Sequence, residues 1–224
     1  MDDYCIKRGY VENPVPAYFV DDVTQDRGLV FQPDVYPFAE ALILEAATRP
    51  MVPMTAQPPG PIEPLIVDVG CGRADKLARL YAQHPEWRFV GVDYGPNIEW
   101  CRANRSWGEW LDVDLEKPHD LAAEGGIVIA SDVVEHLQDP LPMLDAIRRS
   151  GCAAAVLSTP ERDANYGPGH MGPPTNPCHV REWNLAEFGA LLGRQGFAVT
   201  HLGLTRSVDT QPHERTILAV AVPA

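Results

Sequence analysis

The residues most able to do chemistry gather in a few short stretches of this 224-residue chain. In the segment Ile127–Pro140, Asp132, Glu135 and His136 stand at i, i+3 and i+4. On a helix those positions share one face, which would aim two carboxylates and an imidazole at one spot. Such a trio can take a proton from a reacting hydroxyl, with Glu135 and His136 as the catalytic candidates. It is also a partial shell for a hard divalent cation such as Mg²⁺ or Mn²⁺. His179 is a further candidate, from the long Gly- and Pro-rich stretch Thr159–Glu182. A structureless loop of that length inside a compact domain is usually functional. The catalytic candidates are therefore Glu135, His136 and His179, and the metal candidates Asp132, Glu135, His136 and His179. In the plainer alternative, Glu135 and His136 orient a substrate by hydrogen bonds and His179 buttresses the loop.

A second constellation binds rather than reacts. Ile66-Val67-Asp68-Val69 runs straight into Gly70-Cys71-Gly72, and the next apolar run ends at Asp93. Glycines let the chain turn sharply and let a ligand approach closely. An acid about 20 residues further on is placed to hold ribose hydroxyls. A dinucleotide site would show a third glycine and put a pyrophosphate on the helix N-terminus. Here that third glycine is missing, and Asp75 sits where phosphate would be repelled.

These residues need a scaffold that brings strand ends together. Pro33–Thr48 reads as a helix with an apolar face through Phe38, Leu42, Ile43 and Ala46. Six prolines in Arg49–Pro64 forbid regular structure. From residue 65, strands at 65–69, 88–92, 110–113, 127–130 and 153–158 alternate with helices at 74–83, 96–104, 132–137, 140–150 and 185–194. Two last strands follow at 197–202 and 216–222, and Asn184 is a plausible N-cap. The expected fold is a doubly wound, mostly parallel seven-stranded α/β sheet with helices on both faces and an antiparallel last strand. The expected domains are an N-terminal lid over 1–49, a Pro-rich linker over 50–64 and a ligand-binding domain over 65–224. Tyr4, Tyr10, Tyr18, Phe19 and Tyr36 would form an aromatic lid or dock the arm onto the sheet.

Composition narrows the partners. A net charge of −13 with three lysines argues against nucleic acid, which draws its affinity from cations meeting phosphates. No apolar run suits a membrane span, and the acidic start lacks a signal core. Five scattered cysteines without a C-x-x-C pair point to reduced thiols in a cytoplasmic protein. The expected assembly is a monomer or homodimer.

The stretch Val67–Asp75 resembles the first motif of class I S-adenosylmethionine-dependent methyltransferases, with Ala74 at the third glycine. That resemblance implies S-adenosylmethionine as cofactor. Asp68, Gly70 and Gly72 would line its methionine part, and Asp93 its ribose. Asp114, favoured over Asp112, would meet the adenine edge, and Ser131 joins this set. The Glu135-His136-Leu137-Gln138-Asp139-Pro140 segment and the later Ser158-Thr159-Pro160 resemble small-molecule O- and N-methyltransferases of that class. The carboxylate-rich helix with a distant histidine is similar to metal-using 2′-O-methyltransferases of small RNA and to ubiquinone-pathway O-methyltransferases, with Asp132 in place of their first glutamate. Gly172–Trp183 looks like methyltransferases of bacterial polysaccharide or glycoside pathways. The implied activity is methyl transfer to a hydroxyl of a small molecule, a saccharide or glycosylated metabolite. The alternatives are a metal-dependent RNA ribose methyltransferase and a non-catalytic S-adenosylmethionine-binding protein.

Overall fold

The computed structural model describes residues 4–17, 31–48 and 64–224. The Pro-rich linker at 50–64 and two aromatics of the arm, Tyr18 and Phe19, lie outside the described residues, apart from Pro64.

Strands β1 (Leu65–Val69), β2 (Arg88–Asp93), β3 (Glu109–Asp112), β4 (Ile127–Ser131) and β5 (Ala154–Pro160) run parallel, in the order β3-β2-β1-β4-β5. The long hairpin of β6 (Phe197–Val208) and β7 (Gln211–Pro223) completes the sheet as β5-β7-β6, with β7 antiparallel to both neighbours. Both hairpin strands reach well beyond the 197–202 and 216–222 read from sequence. The exposed outer residues of β6 hide that strand from an apolar pattern.

Period-two alternation explains why the inner strands read as continuous apolar runs. Val67 and Val69 face one side with Val90, Val128, Met143, Leu144, Phe188 and Leu191. Ile66 faces the other with Phe89, Ile129, Leu77, Ile98 and Val156. The first layer is covered by α4 (Leu141–Arg149) and α6 (Leu185–Arg194), the second by α2 (Asp75–Gln83) and α3 (Pro96–Asn104). Helix α1 (Val35–Thr48) belongs to the second layer, with Val35, Ala39 and Ile43 buried at i, i+4, i+8 against the sheet. The helix assigned to the arm thus packs as part of the main core.

Two local expectations are corrected. Residues 132–137 form only a single 3₁₀ turn, Val134–His136, because Asp132 takes φ 52°, outside the right-handed helical region. Thr159–Glu182 is not structureless: α5 (Arg162–Tyr166) interrupts it, with the Glu161 side chain accepting from Ala164 N. Asn184 does cap α6, in a reciprocal capping box with Glu187.

The arm 4–17 lies along this loop. Val11 N donates to Met171 O at 2.7 Å, Asn13 N to Val180 O at 2.8 Å, and Trp183 Nε1 to Tyr4 O at 2.8 Å. Beneath it, fully buried Arg162 donates Nη1 to Glu187 Oε2 at 2.7 Å and Nη2 to Oε1 at 3.1 Å. The same guanidinium lies 5.3 Å from the Tyr10 ring centroid. Removing one partner of a buried pair strands the other charge. Arg162→Ala is expected to lower unfolding stability by about 3 kcal/mol in urea titration. A loss under about 1 kcal/mol would show that the arm and α6 do not depend on it.

Candidate active site

The carboxyl ends of β1, β2 and β4 meet at one cavity of about 980 Å³. Backbone geometry sets the part of it around the Gly70–Gly72 turn. Gly70 has φ 73°, and a Cβ there would sit 2.4 Å from Val133 Cγ2. Gly70 N and Cys71 N both donate to Val92 O, at 2.7 and 3.2 Å, pinning the turn to β2. Gly72, with φ 55°, donates its N–H to Asp93 Oδ2 at 2.7 Å. Asp93 Oδ1 accepts from Tyr94 N at 2.6 Å and from Asn97 Nδ2 at 3.4 Å. Gly70, Gly72 and Asp93 therefore come together, and all three line the cavity.

The other sequence-read residues divide. Asp114 and Ser131 line the cavity. Asp114 pairs with Lys117 at 2.6 Å, which holds its carboxyl below the usual range. Asp112 does not line it and accepts from Gly95 N at 3.0 Å. Asp68 lies behind the wall: Tyr36 is interposed, its hydroxyl donating to Asp68 Oδ2 at 2.8 Å. Asp68 Oδ1 has no partner among the described residues. Burial pushes this carboxyl up to about 7, against the Tyr36 hydrogen bond and the Lys76 charge.

At the far end of the cavity, loop and turn lock together through Val180 N donating to Glu135 O at 2.7 Å. Glu135 is fully buried: Oε2 accepts from Thr159 Oγ1 at 3.0 Å, and Oε1 has no partner among the described residues. Burial, then the neighbouring Asp132, pushes its carboxyl well above the usual range. His136 Nδ1 meets Cys178 O at 3.0 Å, and burial holds this imidazole down to about 4. A carbonyl only accepts, so Nδ1 carries the proton and Nε2 the lone pair. His179 Nδ1 meets Glu182 Oε1 at 2.6 Å, which fixes the same tautomer; Asn176 Nδ2 lies 2.9 Å from Nε2. The two rings sit edge to face, 4.7 Å apart.

Glu135, His136 and His179 each bring a ligand atom to within 4.8 Å of the others, a group able to hold a metal ion. Asp132 does not join it; its carboxylate is taken by Ser158 Oγ and Gln32 Nε2, both at 2.6 Å. His170 lies outside the cavity, 4.9 Å from the Tyr166 ring. Sequence reading missed Gln32, Lys76, Asn97 and Glu182, all in the cavity wall, whereas Tyr36, read as an aromatic of the arm, does line the cavity. Glu182 had a faint signal as the acid three residues after His179. Gln32 had none, because it arrives from outside the motif-bearing region.

The buried Asp68 carries a pH dependence. A carboxyl raised in the folded state resists ionising there, so its contribution turns unfavourable as pH climbs from about 4 to about 7. Asp68→Asn is expected to match the parent near pH 4 and to be more stable above pH 7, by up to about 4 kcal/mol. Parallel stability curves for the two proteins would overturn this account.

Comparison with known proteins follows the same outline. Residues 67–152 match the model of the family described as "Methyltransferase domain". A Mycolicibacterium smegmatis protein described as a "probable S-adenosylmethionine-dependent methyltransferase" is 29% identical over 146 residues, or 60% of this chain. The chain spans about half of that relative, 52% of its length. The plantazolicin methyltransferase BpumL, solved with S-adenosylhomocysteine and a substrate analogue, superposes with a TM-score of 0.60 at 13% identity, over 85% of this chain and 84% of its own. The methyltransferase domain of a bacterial Hen1 protein gives 0.59 at 15% identity, over 84% and 96%. The O-methyltransferase NcsB1 of neocarzinostatin biosynthesis gives 0.55 at 18% identity, over 70% and 48%. At these identities the structures share the fold alone. By sequence over residues 67–152 and by fold over most of its length, the chain is similar to S-adenosylmethionine-dependent methyltransferases, which supports its being an enzyme of that class.

Proposed function

We propose that this protein transfers the methyl group of S-adenosylmethionine to a hydroxyl of a small polar molecule, a saccharide or glycosylated metabolite. One observation carries the reading. A single cavity joins the Gly70–Gly72 turn and Asp93 to the Glu135, His136 and His179 group.

The residues fit the cofactor. Gly70, Gly72, Asp93 and Asn97 line one stretch of the cavity, and buried Asn97 Oδ1 has no partner among the described residues. Asp93 and Asn97 would hold the ribose, Asp114 the adenine edge, and Gly72 the backbone beside them. When bound, the cofactor supplies an electrophilic methyl on a cationic sulphur. The many carboxylates of the wall suit that positive charge.

The chain's own work is to orient the acceptor and take its proton. His136 and His179 both hold Nδ1–H against a fixed acceptor; Nε2 of His136 is then the atom that receives the hydroxyl proton, while Nε2 of His179 takes that role only when the Asn176 amide, 2.9 Å away, gives it up. Glu182 behind His179 stabilises the imidazolium that forms. Gln138, Asn165, Asn176 and Glu214 line the acceptor region and match a polyhydroxylated molecule. The arm contributes Pro16 and Ala17 to the same wall, in keeping with a lid over the 65–224 domain.

A second reading adds a divalent cation, Mg²⁺ or Mn²⁺, held by Glu135, His136 and His179. It is favoured by their spacing and by the unpartnered Glu135 Oε1. The ion would orient and acidify the acceptor hydroxyl. The RNA version of this chemistry is opposed by the −13 charge.

Calorimetry tests the cofactor site. S-adenosylhomocysteine is expected to bind, and Asp93→Ala to weaken it about a hundredfold, the scale of two bonds to a charged group. An unchanged dissociation constant removes Asp93 from the site. His136→Ala and His179→Ala are expected to keep that affinity while losing transfer to sugar acceptors. Loss of transfer with EDTA, restored by Mn²⁺, selects the cation reading; indifference to both selects the imidazole alone.

A further inference from the structure

One side chain closes a line of charge between α2 and the exit of β4. Gln32 sits at the joint before α1, 8% exposed, its N–H donating to Ser207 O at 2.7 Å. Its φ of 44° lies in the left-handed region, so the surrounding contacts hold it there. Its carboxamide spans the cavity wall. Lys76 Nζ donates to Gln32 Oε1 at 2.6 Å, and Gln32 Nε2 donates to Asp132 Oδ2 at 2.6 Å. Only one amide orientation works, since an ammonium only donates and a carboxylate only accepts. Ser158 Oγ steadies the other Asp132 oxygen at 2.6 Å, and Lys76 Nζ lies 5.4 Å from the Tyr36 ring centroid. Gln32, Tyr36, Lys76, Asp132 and Gly70 all face the one cavity.

An oxygen turned to a lysine and a nitrogen turned to an aspartate, both borne on one carbon, reproduce the polarity of an α-amino acid. The cofactor assigned above ends in that zwitterion. We propose that Lys76 and Asp132 bind the carboxylate and the ammonium of the cofactor's amino-acid end, and that the Gln32 carboxamide holds their place until it arrives. The inference rests on the S-adenosylmethionine reading. Replacing a neutral amide by full charges turns two hydrogen bonds into doubly charged ones, the stronger kind. A wall screened from water amplifies the gain. It also gives Asp132 a task away from the Glu135, His136 and His179 group, which it does not join.

Two ligands that need no acceptor test this. S-adenosylhomocysteine carries the amino-acid end; 5′-methylthioadenosine keeps the nucleoside and thioether without it. Titrations of both are made on the parent, Lys76→Met and Gln32→Ala. Lys76→Met is expected to weaken S-adenosylhomocysteine about tenfold, the scale of one bond to a charged group. Methylthioadenosine should stay within about twofold, which also certifies the fold and the nucleoside site. Gln32→Ala is expected to tighten S-adenosylhomocysteine, because a competitor is gone, and to leave methylthioadenosine unchanged. The proposal is overturned if Lys76→Met weakens both ligands alike or neither. It is equally overturned if Gln32→Ala weakens S-adenosylhomocysteine. If neither ligand binds the parent, the cofactor reading fails and takes this inference with it. If both bind and the variants do not separate them, only this inference fails.

Discussion

At the end of β1 there is no room for a single methyl group. A Cβ on Gly70 would overlap Val133, the residue just past the exit of β4. Two strand-exit turns can therefore pack against each other only with glycine at this place and a positive φ to turn the chain. The close approach has consequences in both directions. It holds Gly72 N on the Asp93 carboxylate across the neighbouring strand. It also sets where β4 must bend, so that Asp132 leaves the strand in a left-handed conformation and Glu135 enters a short 3₁₀ turn. The Gly70–Gly72 turn with Asp93 and the Glu135–His136 turn thus line one cavity.

Buried polar groups hold the β4 exit turn and the loop 159–182 beside the cavity. Glu135, Glu182, Arg162 and Arg181 are almost wholly out of water, where an unpaired charge is costly. Most of that cost is met by partners: Arg162 by Glu187, and Glu182 by His179. What is left over is informative. Glu135 Oε1 and Glu182 Oε2 have no partner among the described residues, and both residues face the cavity. Buried oxygens of that kind are expected where a ligand completes the network.

Chain segments before residue 65 complete the site. Tyr36 covers Asp68, Gln32 bridges Lys76 to Asp132, and Pro16 and Ala17 line the same cavity. Burial of α1 on the sheet face makes the positions of Gln32 and Tyr36 part of the core packing. The cavity is lined by strand exits together with residues of the arm and of the α1 approach, so a change in those earlier segments acts on the cavity directly.

The alternation of strand and helix, the Gly70–Gly72 turn, Asp93 and the Glu135–His136 pair were legible in the sequence, because each rests on contacts within a few residues or on period-two burial. Asn184 was legible for the same reason: a cap is a three-residue interaction. The helical face proposed for Asp132, Glu135 and His136 was not, since the left-handed Asp132 is imposed by packing against β1 and β5, not by its neighbours in sequence. Nor could Asp68 be seen to lie behind Tyr36, 32 residues earlier, or His136 to meet Cys178, 42 residues later. The sequence by itself determined which elements form and which residue types sit at their ends. Only the tertiary structure decided which of those side chains share a cavity, because burial and hydrogen-bond partnership depend on what distant segments bring to the same place.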